Sequence, residues 1–407
     1  MPADTNNLTH GVYLDWEATA PLGAAAREAM MAYLAEGNIE CGNANANALY
    51  GPGRKAFAQL EAYRKQVAQL LDARPDEIIF TSGSTESCNA AIIGMALAYR
   101  KAHAKDFAPG GKGALVAVSA IEHAAVLRPC MALKDQGFRV AVVNPDKQGI
   151  VQPEALERVF ERYADVPRFL VAVQWQNNVV GTIQPIEQLA ECAHRQGALF
   201  YCDATQAIGK MPVRLAHSGV DASCLSAHKI EGPKGIGVLF LKAHMPFASQ
   251  QLGGHQEFDR RSGTQNVCGV AGLTAALQYA IDHLDEEARR LTELRQYTAR
   301  ELAKIPGVTL TLPYETDAPW LTPNLVHFRV RGFESETLIL QLDARDVWVS
   351  GGSACSSNSL DPSPVLTAMG VPKDDAFTAI RISFGQTTSQ DDIDRFIQAL
   401  KEVVQHG

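Results

Sequence analysis

Between about residue 60 and residue 245, apolar runs of strand length alternate with stretches of helical periodicity. The runs are EIIF (77–80), ALVAVS (114–119), FRVAVV (138–143), FLVAVQW (169–175), ALFYCD (198–203), ASCLS (222–226) and GVLFL (237–241). Most are continuous rather than alternating, the pattern of strands buried on both faces. Helical patterns separate many of them. One follows EIIF and carries Ala91, Ile92, Met95 and Ala96; another runs from Pro185, suited to a first helical turn, to Gly197, suited to the position just past a helix end. This alternation predicts an α/β fold around a mostly parallel seven-stranded sheet. Beyond it, residues 269–305 are rich in Ala, Leu, Glu and Arg and read as a long helical link to a second domain. NLVHFRV (324–330) reads as a strand, DAPWLTP (317–323) as a loop and DDIDRFIQALKEVV (391–404) as an amphipathic helix. The domain boundaries expected are 1–22 for an N-terminal segment packing on the small domain, 23–272 for a large domain and 273–407 for a smaller α+β C-terminal domain.

The length of 407 residues agrees with two cores. With 46% hydrophobic and 20% charged residues the chain has the composition of a soluble globular protein. Its net charge of −8 and lack of a long basic run predict no nucleic-acid groove and no affinity for an anionic membrane. The opening MPADTNNLTHGVYLDWEATAP lacks a basic start followed by an apolar run, so no signal peptide is expected. Eight cysteines are scattered without a C-x-x-C pair, which argues against zinc and against a disulfide framework and makes the cytoplasm the expected compartment. Cys192, Cys202 and Cys224 sit among apolar residues and read as buried thiols.

Ligands of parallel α/β sheets bind beyond the carboxyl ends of the strands, and the polar residues of interest fall there. SGSTES (82–87) follows a strand and opens a helix; its glycine, Ser84, Thr85 and the first helical N–H groups suit a phosphate, or else form a plain N-cap with Glu86 in the first turn. Asp203, at the end of ALFYCD, can pair with a cationic ring nitrogen or simply cap a turn. Lys229, in SAHKIEGPKGIG (226–237), can form a Schiff base with an aldehyde or stand as a solvated loop lysine. The glycine-rich tail of that segment lacks the P-loop spacing.

Taken together in chain order, these segments resemble the cysteine desulfurase family, of the class V aminotransferase group among fold type I pyridoxal-phosphate enzymes. The resemblance also includes LDWEATAP (14–21), EHAAV (122–126), NNVVGTIQP (177–185), DATQAIGK (203–210), RRSGTQN (260–266), SGGSACSS (350–357) and IRISFG (380–385). It implies a homodimer that binds pyridoxal 5'-phosphate and carries sulfur from L-cysteine on Cys355 as a persulfide, releasing L-alanine. Lys229 would be the Schiff-base lysine and Cα base, Asp203 the partner of the pyridinium nitrogen, and His123 the ring-stacking proton-transfer residue. Asn178 and Gln206 would bond the cofactor's phenolic oxygen or the substrate carboxylate. Ser84, Thr85, Ser226 and His228 would hold the phosphate, with Thr264 reaching it from the other subunit. Arg381 would clamp the substrate carboxylate.

Cys355 lies in SGGSACSSNSLDPSP, a small, polar stretch unlike a core and suited to a reactive thiol. Its spacing from Arg381 resembles the long-loop branch of the family, whose loop swings a persulfide to an acceptor protein such as an iron–sulfur scaffold or a thiolation enzyme. The chain departs from the family pattern at Ala44 (usually proline), Ala48 (usually histidine) and Val179 (usually glutamate), which bears on substrate preference and acceptor. A selenocysteine lyase, another C–S lyase of the same fold, or a non-catalytic sulfur-relay scaffold are the competing readings.

Overall fold

The computed structural model describes residues 11–34, 39, 43–351 and 362–406. In chain order its strands are β1 (Val12–Tyr13), β2 (Ile78–Thr81), β3 (Leu115–Ser119), β4 (Arg139–Val143), β5 (Arg168–Ala172), β6 (Leu199–Asp203), β7 (Ala222–Ser226), β8 (Gly237–Leu241), β9 (Val308–Leu310), β10 (Leu325–Val330), β11 (Val347–Trp348) and β12 (Ala379–Ser383). Two compact units form. One comprises the chain up to Ala18, Asn178–Gly181 and Glu286 onward; the other comprises Thr19–Asn177 and Thr182–Asp285.

The larger unit is built on a seven-stranded sheet of order β2-β8-β7-β6-β5-β3-β4, parallel except for β8. All seven apolar runs form these strands. Val116, Val118, Leu170, Ala172 and Tyr201 join one core cluster with Ile92, Met95 and Val126 of the helices Ser84–Ala102 and Ala124–Ala132. The intervening Ala117, Val171 and Phe200 are buried too, and helix Ile186–Arg195 packs on β5 and β6. Period-2 alternation with every position apolar therefore covers both faces. Each such aliphatic side chain contributes about 1.5–3 kcal/mol on burial. At the sheet edge β4 is only partly buried, and Val142 is exposed. The short connection 227–236 cannot cross over the sheet, so β8 returns antiparallel beside β7. It then pairs with β2, placing Gly237 opposite Thr81.

The helical stretch expected over 269–305 is two helices, Val267–Asp282 and Leu284–Leu302. His283 ends the first: its N–H donates to Tyr279 O at 3.1 Å, and its ring stacks on Tyr279. Apolar periodicity alone does not register such a one-residue break.

The smaller unit carries an antiparallel sheet β12-β10-β9 and the parallel pair β1-β11. The N-terminal segment is stitched into this unit: Glu17 N donates to Ser383 Oγ at 2.9 Å, Ser383 N to Leu14 O at 2.8 Å and Asn324 Nδ2 to Glu17 Oε1 at 2.9 Å. His327 of β10 is fully buried, with Nδ1 2.8 Å from Thr311 Oγ1. Burial, followed by the positive Arg381 and Arg329, pushes its pKa down to about 3.

An unfolded chain protonates this histidine near its ordinary value while the folded chain does not. Between about pH 3 and 6.5 the unfolded state therefore binds more protons, and stability rises with pH. Thermal unfolding monitored by circular dichroism should show the midpoint falling as pH is lowered from 7 to 5. His327→Asn should flatten that slope; an unchanged slope would assign the acid sensitivity to other groups.

Candidate active site

In the larger unit, chemistry-bearing residues collect at the ends of β2, β6 and β7 and at the start of the helix that follows β3. Beyond β2 the chain turns at Gly83, whose φ of +148° disfavours any L side chain, and enters the helix Ser84–Ala102. A Cβ on Gly237 would stand 2.6 Å from Gly83 Cα, so both glycines are needed where β8 begins. A Cβ on Gly83 would in turn meet Ser226 Oγ at 3.4 Å, which puts the end of β7 beside this helix start. Glu86 in the first helical turn accepts from Ser82 N at 2.8 Å and from Arg261 Nε at 2.9 Å. Burial opposes its ionisation, but the Arg261 and Ser82 bonds prevail and hold its pKa below the usual carboxylate value. That carboxylate is thus tied to Arg261 and Ser82, while the N–H groups of the first turn lack intrahelical acceptors by helix geometry. Ser84 Oγ accepts from Thr205 Oγ1 at 2.6 Å; Thr85 is exposed.

Asp203 ends β6. Its carboxylate is buried, and Oδ1 accepts from Thr205 N at 3.0 Å and from Cys224 Sγ at 3.2 Å. Among the described residues no lysine, arginine or histidine forms a salt bridge with it. A buried carboxylate without a cation is costly, and a positively charged group of a ligand would compensate it. Lys229 follows β7 within the single 3-10 turn Ala227–Lys229 and is half-buried. His123 caps the helix Ala124–Ala132, its Nδ1 accepting from Ala125 N at 3.1 Å, so the neutral ring carries its proton on Nε2. Burial lowers its pKa, Asp203 opposes the shift and Lys229 adds to it, which keeps the imidazole neutral at pH 7.

Gln206 Oε1 accepts from Lys210 Nζ at 2.7 Å. His228 Nδ1 lies 3.0 Å from Thr19 Oγ1, and its pKa is pushed down to about 4 by burial and then by Lys229, Lys234 and Lys210. Ser226 is buried, and Thr264 is exposed on the chain.

Two further groups of this unit escaped the sequence reading. Glu122 is buried beside His123 in the chain: its Oε1 accepts from Gln174 N at 2.8 Å, while Oε2 is buried without a partner. Burial, and secondarily the negative Asp203, push this carboxyl well above the usual range. Cys224 and Cys88 lie beneath Asp203 with their sulfurs 3.7 Å apart. The EHAAV segment was the only sequence signal for Glu122, and Cys224 carried none beyond its apolar neighbours.

The smaller unit holds Arg381 and Asn178. Arg381, on β12, is 2% exposed; its Nη2 meets Asp15 Oδ1 at 2.6 Å and its Nη1 donates to Asn178 O at 2.7 Å. Asp15 lies in the LDWEATAP segment, where sequence reading assigned it no role. Nearby, burial and then Asp15 push Tyr13 up to about 12. Val179 is buried in this unit. Cys355 lies outside the described residues, as does Cys41. Six described cysteines, Cys192, Cys202 and Cys224 included, are unbridged, and all but the part-buried Cys268 are buried.

These residues fit pyridoxal phosphate on the structure's own terms. The helix start at Ser84 with Gly83 and Ser226 suits a phosphate. The buried Asp203, which joins no salt bridge among the described residues, suits a cationic ring nitrogen, and Lys229 suits an aldehyde.

Residues 12–396 match the family described as aminotransferase class-V. A curated "Cysteine desulfurase IscS" of Dictyoglomus turgidum is 38% identical over 395 residues, covering 97% of this chain and 94% of that protein. The protein of the same name from Methanosarcina thermophila is also 38% identical over 395 residues, with 97% and 92% covered. A solved structure titled "NifS-like protein" superposes with a TM-score of 0.86 at 32% identity, covering 97% of this chain and all of that one.

Proposed function

The chain belongs to the cysteine desulfurases of the class-V aminotransferase family, and from that premise we propose that it converts L-cysteine to L-alanine and takes up the sulfur on Cys355 as a persulfide. The observation that carries the reading is the buried carboxylate of Asp203, which joins no salt bridge among the described residues, is in electrostatic contact with a neutral His123 and is joined through Thr205 to the helix start at Ser84.

Bound pyridoxal phosphate supplies an electron-withdrawing ring that stabilises negative charge on the substrate Cα. The chain does the rest. Ser84, Thr85, Ser226 and His228 would hold the phosphate, with Thr264 of a second copy completing that cradle in a homodimer. His228, neutral at pH 7, accepts or donates one hydrogen bond there without bringing a second charge. Asp203 would hold the ring nitrogen through a charge-assisted hydrogen bond. Gln206 and Asn178 would bond the cofactor's phenolic oxygen or the substrate carboxylate, and Arg381 would take that carboxylate.

Lys229 would hold the cofactor through its aldehyde carbon, and its amine, once released, would take the substrate Cα proton. His123 relays a proton through Nε2. The Cys355 thiolate attacks the substrate sulfur: the Cβ–S bond breaks, an S–S bond forms, and the thiol proton ends on the alanine carbon. L-Cysteine and one thiol thus give L-alanine and one persulfide, with atoms balanced. An acceptor protein, an iron–sulfur scaffold or a thiolation enzyme, then collects the sulfur. A reducing cytoplasm suits the six unbridged thiols. No helix of the described residues is long and apolar enough to cross a membrane.

Turnover of L-cysteine with a thiol reductant should release alanine and sulfide in equal amounts. Pyruvate in place of alanine would make the protein an eliminating lyase. Activity confined to L-selenocysteine would make it a selenocysteine lyase, and a protein that binds no cofactor would be a scaffold.

A further inference from the structure

Beneath the Asp203 carboxylate lies a closed group of polar atoms inside an apolar core. Tyr201 OH donates to Cys224 Sγ at 3.3 Å, Cys88 Sγ approaches the same sulfur at 3.7 Å, and Cys224 Sγ lies 3.2 Å from Asp203 Oδ1. Tyr201, Cys88 and Cys224 are each at most 2% exposed. Thr205 also touches Cys224, at 3.3 Å, but its hydroxyl proton goes to Ser84 at 2.6 Å.

The proton directions are forced. Cys224 donates its single proton to Asp203 Oδ1. Tyr201 and Cys88 then donate to the Cys224 sulfur. Burial first, then Cys224 itself, hold the Cys88 thiol well above its ordinary value, so it keeps its proton. Burial, followed by Cys224, does the same for the Tyr201 hydroxyl.

The same atoms have the ligand types of a thiolate metal site, with Cys88, Asp203 and Cys224 within 4.8 Å of one another. These atoms also lie inside an apolar core, and the hydrogen bonds among them join all three. Hydrogen bonding accounts for the geometry without a metal.

We propose that Cys224 is a positioning residue for the reaction: its thiol, polarised by Tyr201 and Cys88, holds Asp203 ionised with Oδ1 fixed, and so keeps the proton of the cofactor's ring pair on the ring nitrogen. A thiol is a weak donor alone, but two donors on its sulfur strengthen it cooperatively. With Oδ1 held by Cys224 and the Thr205 N–H, Oδ2 is the oxygen left for the ligand.

This inference rests on the cofactor assignment made above, and the test separates the two. Apo-protein is titrated with pyridoxal phosphate labelled with 15N at the ring, and the nitrogen shift is followed with pH. Wild type and Cys224→Ser, which keeps a donor, should bind alike and keep the ring nitrogen protonated through pH 8. Cys224→Ala should bind about tenfold more weakly, the scale of one hydrogen bond to a charged group, and should lose the ring proton within that range. Tyr201→Phe should move the ring titration in the same direction by less. If Cys224→Ala fails to fold, Tyr201→Phe decides. Ring titration and affinity unchanged from wild type in whichever variant is read would overturn the role of Cys224 alone. Wild type that binds no pyridoxal phosphate would overturn the cofactor assignment, and this inference with it.

Discussion

Lys229→Ala is expected to reduce alanine formation by at least about 10³-fold, within the range lost when a covalent or general-base lysine is removed. The chain offers few substitutes. β7 is buried along its whole length and delivers Lys229 in one tight turn, closed by Ile230 N and Gly232 N donating to Ala227 O at 3.0 and 2.8 Å. The position is therefore fixed by backbone, and a lysine elsewhere cannot swing into it without opening that turn. Lys229 also stands close enough to His123 and His228 to lower the pKa of both, in each case second to burial or later. Its removal should let both imidazoles protonate at higher pH, visible as downfield-shifted histidine titrations by NMR. Borohydride reduction of the wild type followed by peptide mass spectrometry should place the cofactor adduct on the Lys229 peptide. An adduct on Lys210 or Lys234, both near His228, together with full activity in Lys229→Ala, would move the chemistry to another lysine.

The sheet was legible in the sequence because strands covered on both faces leave continuous apolar runs, and each of the seven runs became a strand. Asp203, Lys229 and Ser84 were legible as candidates because each follows such a run, where α/β sheets put their ligands. What stayed hidden depends on partners far apart in the chain. Arg381 meets Asp15 across 366 positions, and no local pattern announces that pair. Cys224 illustrates a different limit. Reading it as a buried thiol was right about its burial, but hydropathy describes the environment of a side chain and is silent about where its one proton points. Glu122 was hidden for a similar reason, since a buried acid next to a histidine reads from sequence as an ordinary polar neighbour.

Cys355→Ser is expected to retain the cofactor and to bind L-cysteine, because Lys229, Asp203 and Arg381 are untouched, yet to form alanine roughly 10³-fold or more slowly, as when a nucleophile is deleted from a catalytic set. A hydroxyl cannot take a sulfur atom as a persulfide. The described cysteines are poor replacements on physical grounds: burial pushes the thiols of Cys88, Cys130, Cys192, Cys202 and Cys268 upward, away from the thiolate that must attack. Cys355 instead lies in the small, polar sequence SGGSACSSNSLDPSP. Wild type exposed to L-cysteine should gain the mass of one sulfur atom on the Cys355 peptide, and a thiol reductant should remove it. Selenium can leave without thiolate attack, so the same variant should keep more activity toward L-selenocysteine than toward L-cysteine. Desulfuration at the wild-type rate by Cys355→Ser, or a persulfide mapped to Cys41 or Cys268, would leave the fold and cofactor assignment standing and remove Cys355 from the mechanism.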